Sequence, residues 1–92
     1  MQQDRAEEIA LIALGWLAAN EDLLPVFMGA SGAGPDDLRR GAGDPAFLGS
    51  VLDFILMDDA WVIACCEAAG MAYETLMQAR QALPGGALPT WT

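Results

Sequence analysis

Apolar residues recur along this chain at the three- and four-residue spacing of amphipathic helices, and short Asp, Gly and Pro signals separate the runs. The first helix is predicted to begin at Asp4, with Glu7 in capping-box spacing. One of its faces carries Ile9, Ile12, Ala13, Trp16 and Leu17. Because no segment alternates with period two, strands are not expected.

The next boundaries follow from caps and prolines. Asn20 or Asp22 is predicted to cap a short second helix, and residues 29–34 (Gly-Ala-Ser-Gly-Ala-Gly) are expected to form a surface loop. Pro35 suits the first position of a third helix, and Asp44-Pro45 supplies a cap and a first-turn proline for a fourth.

The region from Ser50 to Ala69 contains no Gly or Pro. Asp58 is the expected break within it, as the cap of a further helix, and one continuous helix is the alternative. Gly70 is predicted to end this region in a left-handed conformation. A last helix, with one face formed by Ala72, Leu76, Ala79 and Leu83, should stop at Pro84-Gly85-Gly86.

Together these elements predict an all-α fold, a compact orthogonal bundle of five or six short helices. We expect residues 1–86 to form a single helical domain and residues 87–92 to form a C-terminal tail, which stays ordered only if Trp91 finds a pocket.

Charge narrows the classes of partner. Of the 92 residues, 13 are acidic and four are arginines, with no Lys or His, so the net charge is −9. This charge opposes contact with nucleic acid phosphates and with anionic membrane surfaces. The longest apolar stretch, Ile9 to Ala19, is shorter than the ~20 residues that span a bilayer. The N-terminus is acidic where a secretory signal would be basic, so we expect a cytoplasmic protein.

Asp53 is a lone carboxylate in the apolar run Val51-Leu52-Asp53-Phe54-Ile55. A functional interpretation makes it a ligand-binding or catalytic group with a raised pKa. The structural interpretation, which we favour, places it inside the fold, paired with Arg39 or Arg40 or with backbone amides. Its small neighbours Gly49 and Ser50 would let a long side chain approach.

Cys65 and Cys66 are adjacent and are the only cysteines. Neighbouring helical positions point about 100° apart, so at most one thiol should face the core directly. Metal binding would need further thiolate or imidazole ligands, which the chain lacks. We expect small buried side chains, with an exposed Cys66 that forms intermolecular disulfides as the alternative.

Other chemistry has little support in the sequence. Ser31 and Ser50 have no His or Lys to act as a base, and the glycine-rich segment lacks the features of a phosphate-binding loop. The pairs Asp36-Asp37 and Asp58-Asp59 suit helix N-termini better than a cation site. We therefore expect no catalytic residue, metal or cofactor, and no enzymatic activity.

The apolar fraction, 54%, slightly exceeds the usual ~45–50%, so part of it is expected to face outward. Aromatic residues and methionines are enriched at protein interfaces. The predicted patch that would use them consists of Trp16, Phe27, Met28 and Trp61.

Several local motifs also resemble the family called domain of unknown function 3572, a group of small bacterial proteins. They are Gly32, Pro35-Asp36-Asp37-Leu38-Arg39, Asp44-Pro45, Phe47-Leu48, Val51-Leu52-Asp53-Phe54, Asp58, Cys66, Gly70 and Leu83-Pro84-Gly85-Gly86. Two departures are Ala72, in place of proline, and Cys65, in place of a bulkier apolar residue. The resemblance implies a compact cytoplasmic helical domain without an assigned activity, and it favours a regulatory adaptor.

Three functions remain open. The first is a non-enzymatic interaction or adaptor module that binds a protein partner or a second copy of itself. The second is a small-ligand or metal-binding protein that uses Asp53 and neighbouring carboxylates. The third is an acidic mimic of nucleic acid that occupies a basic site on another protein.

Overall fold

Six α-helices build the domain, in a computed structural model that describes residues 1–84. They are α1 (Gln3–Ala18), α2 (Leu24–Ser31), α3 (Pro35–Gly41), α4 (Pro45–Leu56), α5 (Asp59–Ala69) and α6 (Glu74–Ala82). Within the described residues there is no strand, so the all-α prediction is confirmed. The predicted tail, residues 87–92, lies outside the described part of the chain.

Local capping chemistry sets three helix boundaries as predicted, the starts of α4 and α5 and the end of α5. The side chain of Asp44 accepts a hydrogen bond from the Ala46 amide at 3.0 Å, and that of Asp58 accepts one from the Ala60 amide at 2.8 Å. Asp58 therefore separates α4 from α5, and the alternative of one continuous helix is wrong. Gly70 ends α5 with a φ of 72°, a conformation that favours glycine.

Three boundaries differ from the prediction. Helix α1 begins at Gln3, without a side-chain cap at its N-terminus. The side chain of Asn20 accepts hydrogen bonds from the Asp22 and Leu23 amides, so it stabilises the turn before α2 rather than capping α2 itself. Helix α2 continues to Ser31, whose hydroxyl donates to the Phe27 carbonyl oxygen, and the predicted loop is correspondingly shorter.

The core forms where α1 packs against α4 and α6, while α4 also contacts α6, α5 and α3. Helix α4 is apolar around most of its circumference, which suits its central place among these neighbours. Of the face predicted for the last helix, Leu76, Ala79 and Leu83 are buried, whereas Ala72 lies before α6 and is exposed. The main buried side chains are Ile9, Leu17, Phe27, Leu48, Val51, Leu52, Ile55 and Leu76.

Candidate functional site

Asp53 lies on the outer side of α4 and binds Arg80 of α6. The Arg80 Nε donates to Asp53 Oδ1 at 2.6 Å and its Nη2 donates to Oδ2 at 2.9 Å, a bidentate pairing that matches the planar guanidinium to the carboxylate. The Asp53 side chain is 57% exposed, whereas that of Arg80 is only 14% exposed. The buried partner of this ion pair is therefore the arginine.

Asp53 pairs with an arginine, as the structural interpretation expects, but its predicted location inside the fold and its predicted partners, Arg39 and Arg40, are wrong. Asp53 is exposed rather than inside, and its ion-pair partner is Arg80 rather than Arg39 or Arg40. Arg39 pairs with Asp36 at 3.4 Å and Arg40 with Asp37 at 3.2 Å, each within the exposed surface of α3. Oppositely charged residues three apart on a helix are neighbours, so these two arginines are satisfied locally.

The sequence did contain a signal for the correct partner. Arg5 has Glu8 three positions away, as Arg39 and Arg40 have Asp36 and Asp37, but Arg80 has no acidic residue three or four positions away. It is therefore the arginine left for a distant carboxylate. Its guanidinium lies against Gly49, one turn before Asp53, as expected for a small residue that admits a long side chain.

An apolar groove lies beside Asp53, between α2 and α4. It encloses about 190 Å³ and is lined by Phe27, Ala30, Ser31, Ser50, Asp53, Phe54 and Met57. The rings of Phe27 and Phe54 meet edge to face with their centroids 5.3 Å apart, and Phe54 stacks on Trp61 at 4.8 Å. We call this feature the α2–α4 groove.

The polar atoms of the groove are mostly engaged. The Ser31 hydroxyl donates to the Phe27 carbonyl oxygen at 2.7 Å, and the Ser50 hydroxyl donates to the Phe47 carbonyl oxygen at 2.6 Å. Met57, at the end of α4, is 77% exposed and is the most exposed large apolar side chain among the described residues. The groove thus offers an apolar surface with one carboxylate at its wall.

The predicted patch of Trp16, Phe27, Met28 and Trp61 is only partly accessible. Phe27 is 1% exposed and belongs to the core, so its prediction as a surface residue is wrong. Trp16, Met28 and Trp61 are half-buried and pack against the core. Met57 was missed because an apolar residue at the end of an apolar run looks like a core position.

Cys65 and Cys66 are both fully buried free thiols. The expectation that only one could face the core is wrong, because α5 packs against both α1 and α4. Burial, and secondarily the neighbouring Cys66, raises the pKa of the Cys65 thiol to about 11. Burial, with a smaller contribution from Glu74, also raises the pKa of Cys66, so both thiols are protonated and poorly nucleophilic at neutral pH.

Within the pairs Asp36-Asp37 and Asp58-Asp59, the carboxylates of Asp36, Asp37 and Asp58 cap helix N-termini or form ion pairs with arginines. Asp37 accepts a hydrogen bond from the Gly34 amide at 2.8 Å, and Asp58 caps α5. Among residues 1–84, no three Cys, Asp or Glu side chains come together as a metal site would require. Nor does that part of the chain contain a helix long and apolar enough to cross a bilayer.

Comparison of the sequence with known proteins finds a match to one protein family. The sequence model described as "Protein of unknown function (DUF3572)" matches residues 3–86, nearly the whole chain. No curated protein and no solved structure shows significant similarity to the chain.

Proposed function

The chain belongs to the DUF3572 family, and from that premise we propose that the domain is a non-enzymatic interaction module that binds another protein through the α2–α4 groove. The observation that carries the proposal is Met57, 77% exposed beside the groove that Phe27 and Phe54 line. Flexible, polarisable methionine side chains are common at binding surfaces because they adapt to a partner.

Charge complementarity indicates the chemistry of the partner. Each of the four arginines pairs with a carboxylate of the same domain, which leaves nine of the thirteen acidic side chains without an arginine partner. A segment rich in Lys or Arg would therefore be attracted to the negatively charged domain. We therefore propose a partner that inserts one apolar side chain beside Met57 and places basic residues around it. A regulatory adaptor would use such a contact.

A non-enzymatic role agrees with the state of the potential nucleophiles. Both thiols are buried and protonated, and the hydroxyls of Ser31 and Ser50 donate to backbone carbonyl oxygens. Two buried free thiols also fit a reducing compartment, so we propose a cytoplasmic location.

A small-ligand function centred on Asp53 has less support. The groove, at about 190 Å³, is smaller than the roughly 300–1,000 Å³ of small-molecule sites. Both carboxylate oxygens of Asp53 already accept hydrogen bonds from Arg80. Mimicry of nucleic acid also has less support, because it requires carboxylates that cluster on one face. Instead, Asp44 and Asp58 cap α4 and α5, and Asp36 and Asp37 pair with arginines on α3.

The test begins with a photo-reactive benzoylphenylalanine at position 57 in native cells, to identify the protein that cross-links there. Binding of that purified protein is then measured by calorimetry for the wild type, Met57→Asp and Met77→Asp. Met77 is a matched control, since it is also an exposed methionine but lies on α6. We expect Met57→Asp to lose most of the affinity and Met77→Asp to keep it, with weaker binding of the wild type at higher salt. Equal affinities of both variants and the wild type would contradict the proposal.

A further inference from the structure

The side of α1 that faces away from the core is as apolar as the side that faces it. Every residue from Ile9 to Ala19 is glycine or has an apolar side chain. The core takes one side of this stretch, at Ile9, Ala10, Ala13, Leu14 and Leu17. The exposed positions, which we call the outer α1 face, are Leu11, Ile12, Gly15, Ala18 and Ala19.

The exposure of this face is unusual for a surface helix. Leu11 is 43% exposed and Ile12 is 45% exposed, although the opposite side of α1 packs against α4 and α6. A surface helix carries polar side chains away from the core, whereas a helix that is apolar all round is covered on every side. In residues 1–84, α1 therefore presents an apolar face that contact with another molecule would remove from water.

The shape of the face suits another helix. Leu11, Gly15 and Ala19 are four positions apart and lie on one side of α1. A Cβ added at Gly15 would meet nothing within 4 Å, so the surface is open at its centre. Small residues at a contact allow two helix axes to approach closely, and the larger Leu11 and Ile12 give the partner a ridge to pack against.

Both ends of the face are acidic. Asp4 and Glu8 precede it, accompanied by Arg5, which pairs with Glu8 at 3.1 Å. Glu21 and Asp22 follow it, and the last turn of α1 contains no basic residue. The helix dipole adds to the negative charge at this second end.

This charge pattern decides between two kinds of occupant. If two copies of the chain paired through this face, acidic ends would meet in either helix orientation, and like charges across an interface oppose binding. A helix with Lys or Arg at both ends complements the pattern. At about 1.5 Å per residue, Glu8 and Glu21 mark ends on the order of 20 Å apart, which sets the spacing of those basic residues.

We propose that the outer α1 face binds a helix of a different protein, which packs apolar residues against Leu11 and Ile12 and carries basic residues at both ends. The face shares no residue with the α2–α4 groove. The domain then has two separate binding surfaces and connects two partner segments. Binding at α1 does not depend on the function proposed for the groove.

The test places photo-reactive benzoylphenylalanine at position 12 of the full chain in native cells, and mass spectrometry identifies the cross-linked segment. Calorimetry then measures binding of that purified protein to the wild type, Ile12→Asp and Ile63→Asp. Ile63, on α5, is a matched control because it is 41% exposed and the substitution changes the charge equally. Ile12→Asp should weaken binding at least about tenfold, and Ile63→Asp should leave it unchanged.

A second pair of variants tests the charge at the end of the face. Asp22→Asn should weaken binding and reduce its dependence on salt, whereas Asp59→Asn, an exposed acidic position on α5, should do neither. Equal effects of these two variants would contradict recognition of basic residues at this end of α1.

Several results would overturn the proposal. They are the absence of a cross-link, a cross-link to the same chain or to a second copy, a cross-linked segment without Lys or Arg, and equal affinities of Ile12→Asp and Ile63→Asp. Met57→Asp separates this surface from the groove, because it should leave binding at α1 unchanged. A loss of affinity in Met57→Asp but not in Ile12→Asp would support the groove and contradict the outer α1 face.

Discussion

Arg80 holds Asp53 through two hydrogen bonds, of 2.6 Å and 2.9 Å, and joins helices whose paired residues are 27 positions apart in the sequence. The two side chains contribute unequally, because Arg80 is largely buried and Asp53 is mostly exposed. Because one partner is buried and the other exposed, this ion pair should stabilise the fold by more than a surface pair and by less than a fully buried pair.

The first prediction concerns this asymmetry. Arg80→Ala should lower the free energy of unfolding by about 2–3 kcal/mol and Asp53→Ala by about 1–2 kcal/mol. The arginine also loses its bond to Pro84 and the packing of its stem. Urea denaturation measures both, with Arg39→Ala as an exposed control that should cost less than about 0.5 kcal/mol. A larger loss for Asp53→Ala than for Arg80→Ala would contradict this account.

The second prediction is that Gly49→Ala changes the free energy of unfolding in opposite directions in the presence and in the absence of Arg80. A Cβ added there would lie 2.9 Å from Arg80 Nη1, so Gly49→Ala should destabilise the wild type by about 1 kcal/mol through displacement of the guanidinium. In an Arg80→Ala background that obstacle is absent, and the same change should stabilise α4 by up to about 1 kcal/mol through helix propensity. A double-mutant cycle by urea denaturation tests this, and a cycle with no coupling would rule out contact between the two positions.

The third prediction contrasts two helical glycines. Gly41 is buried, and a Cβ there would overlap the ring of Phe47, which packs edge to face on Phe27. Gly41→Ala should cost about 1–3 kcal/mol because the aromatic cluster must shift. Gly15, in α1, has open space around the added Cβ, so Gly15→Ala should instead stabilise by about 1 kcal/mol. Thermal unfolding distinguishes the two, and similar midpoints would be inconsistent with the Phe47 contact.

The fourth prediction concerns pH. Folding raises the pKa of Cys65 from 9.0 to about 11, so the folded state keeps this proton where the unfolded state releases it. The corresponding stability is fully present below pH 9 and declines as pH rises from 9 to about 11. At pH 10 the wild type should have lost about 1 kcal/mol more than Cys65→Ala, each relative to its own value at pH 8. Parallel urea curves at the two pH values measure this, and an identical loss in both proteins would exclude Cys65 as its source.

The helix boundaries were predictable because they depend on groups only a few residues apart. Asp58 and the Ala60 amide, or Gly70 and its positive φ, are local relationships that a sequence pattern expresses directly. The partner of Asp53 was harder, since nothing near it in the chain marks Arg80. Only the elimination of locally paired arginines leads there.

Burial was less predictable than helix position, because it depends on how many neighbours a helix has. Cys65 and Cys66 are both buried because α5 packs against two helices, α1 and α4. The prediction of a single buried thiol assumed that α5 packs on one side only. Conversely, Met57 is exposed although its sequence context is apolar. Hydrophobic periodicity describes one helix at a time, whereas the burial of these side chains depends on how several helices pack together.

The packing of α1 against α6 has a consequence for biosynthesis. The apolar face of α1 emerges first, yet one of the helices that covers it, α6, is made only after α2 to α5. Until α6 leaves the ribosome, the apolar face of α1 lacks one of the helices that cover it, and this exposed face is prone to aggregation. The domain therefore reaches its final packing after release of its last helix rather than helix by helix during translation.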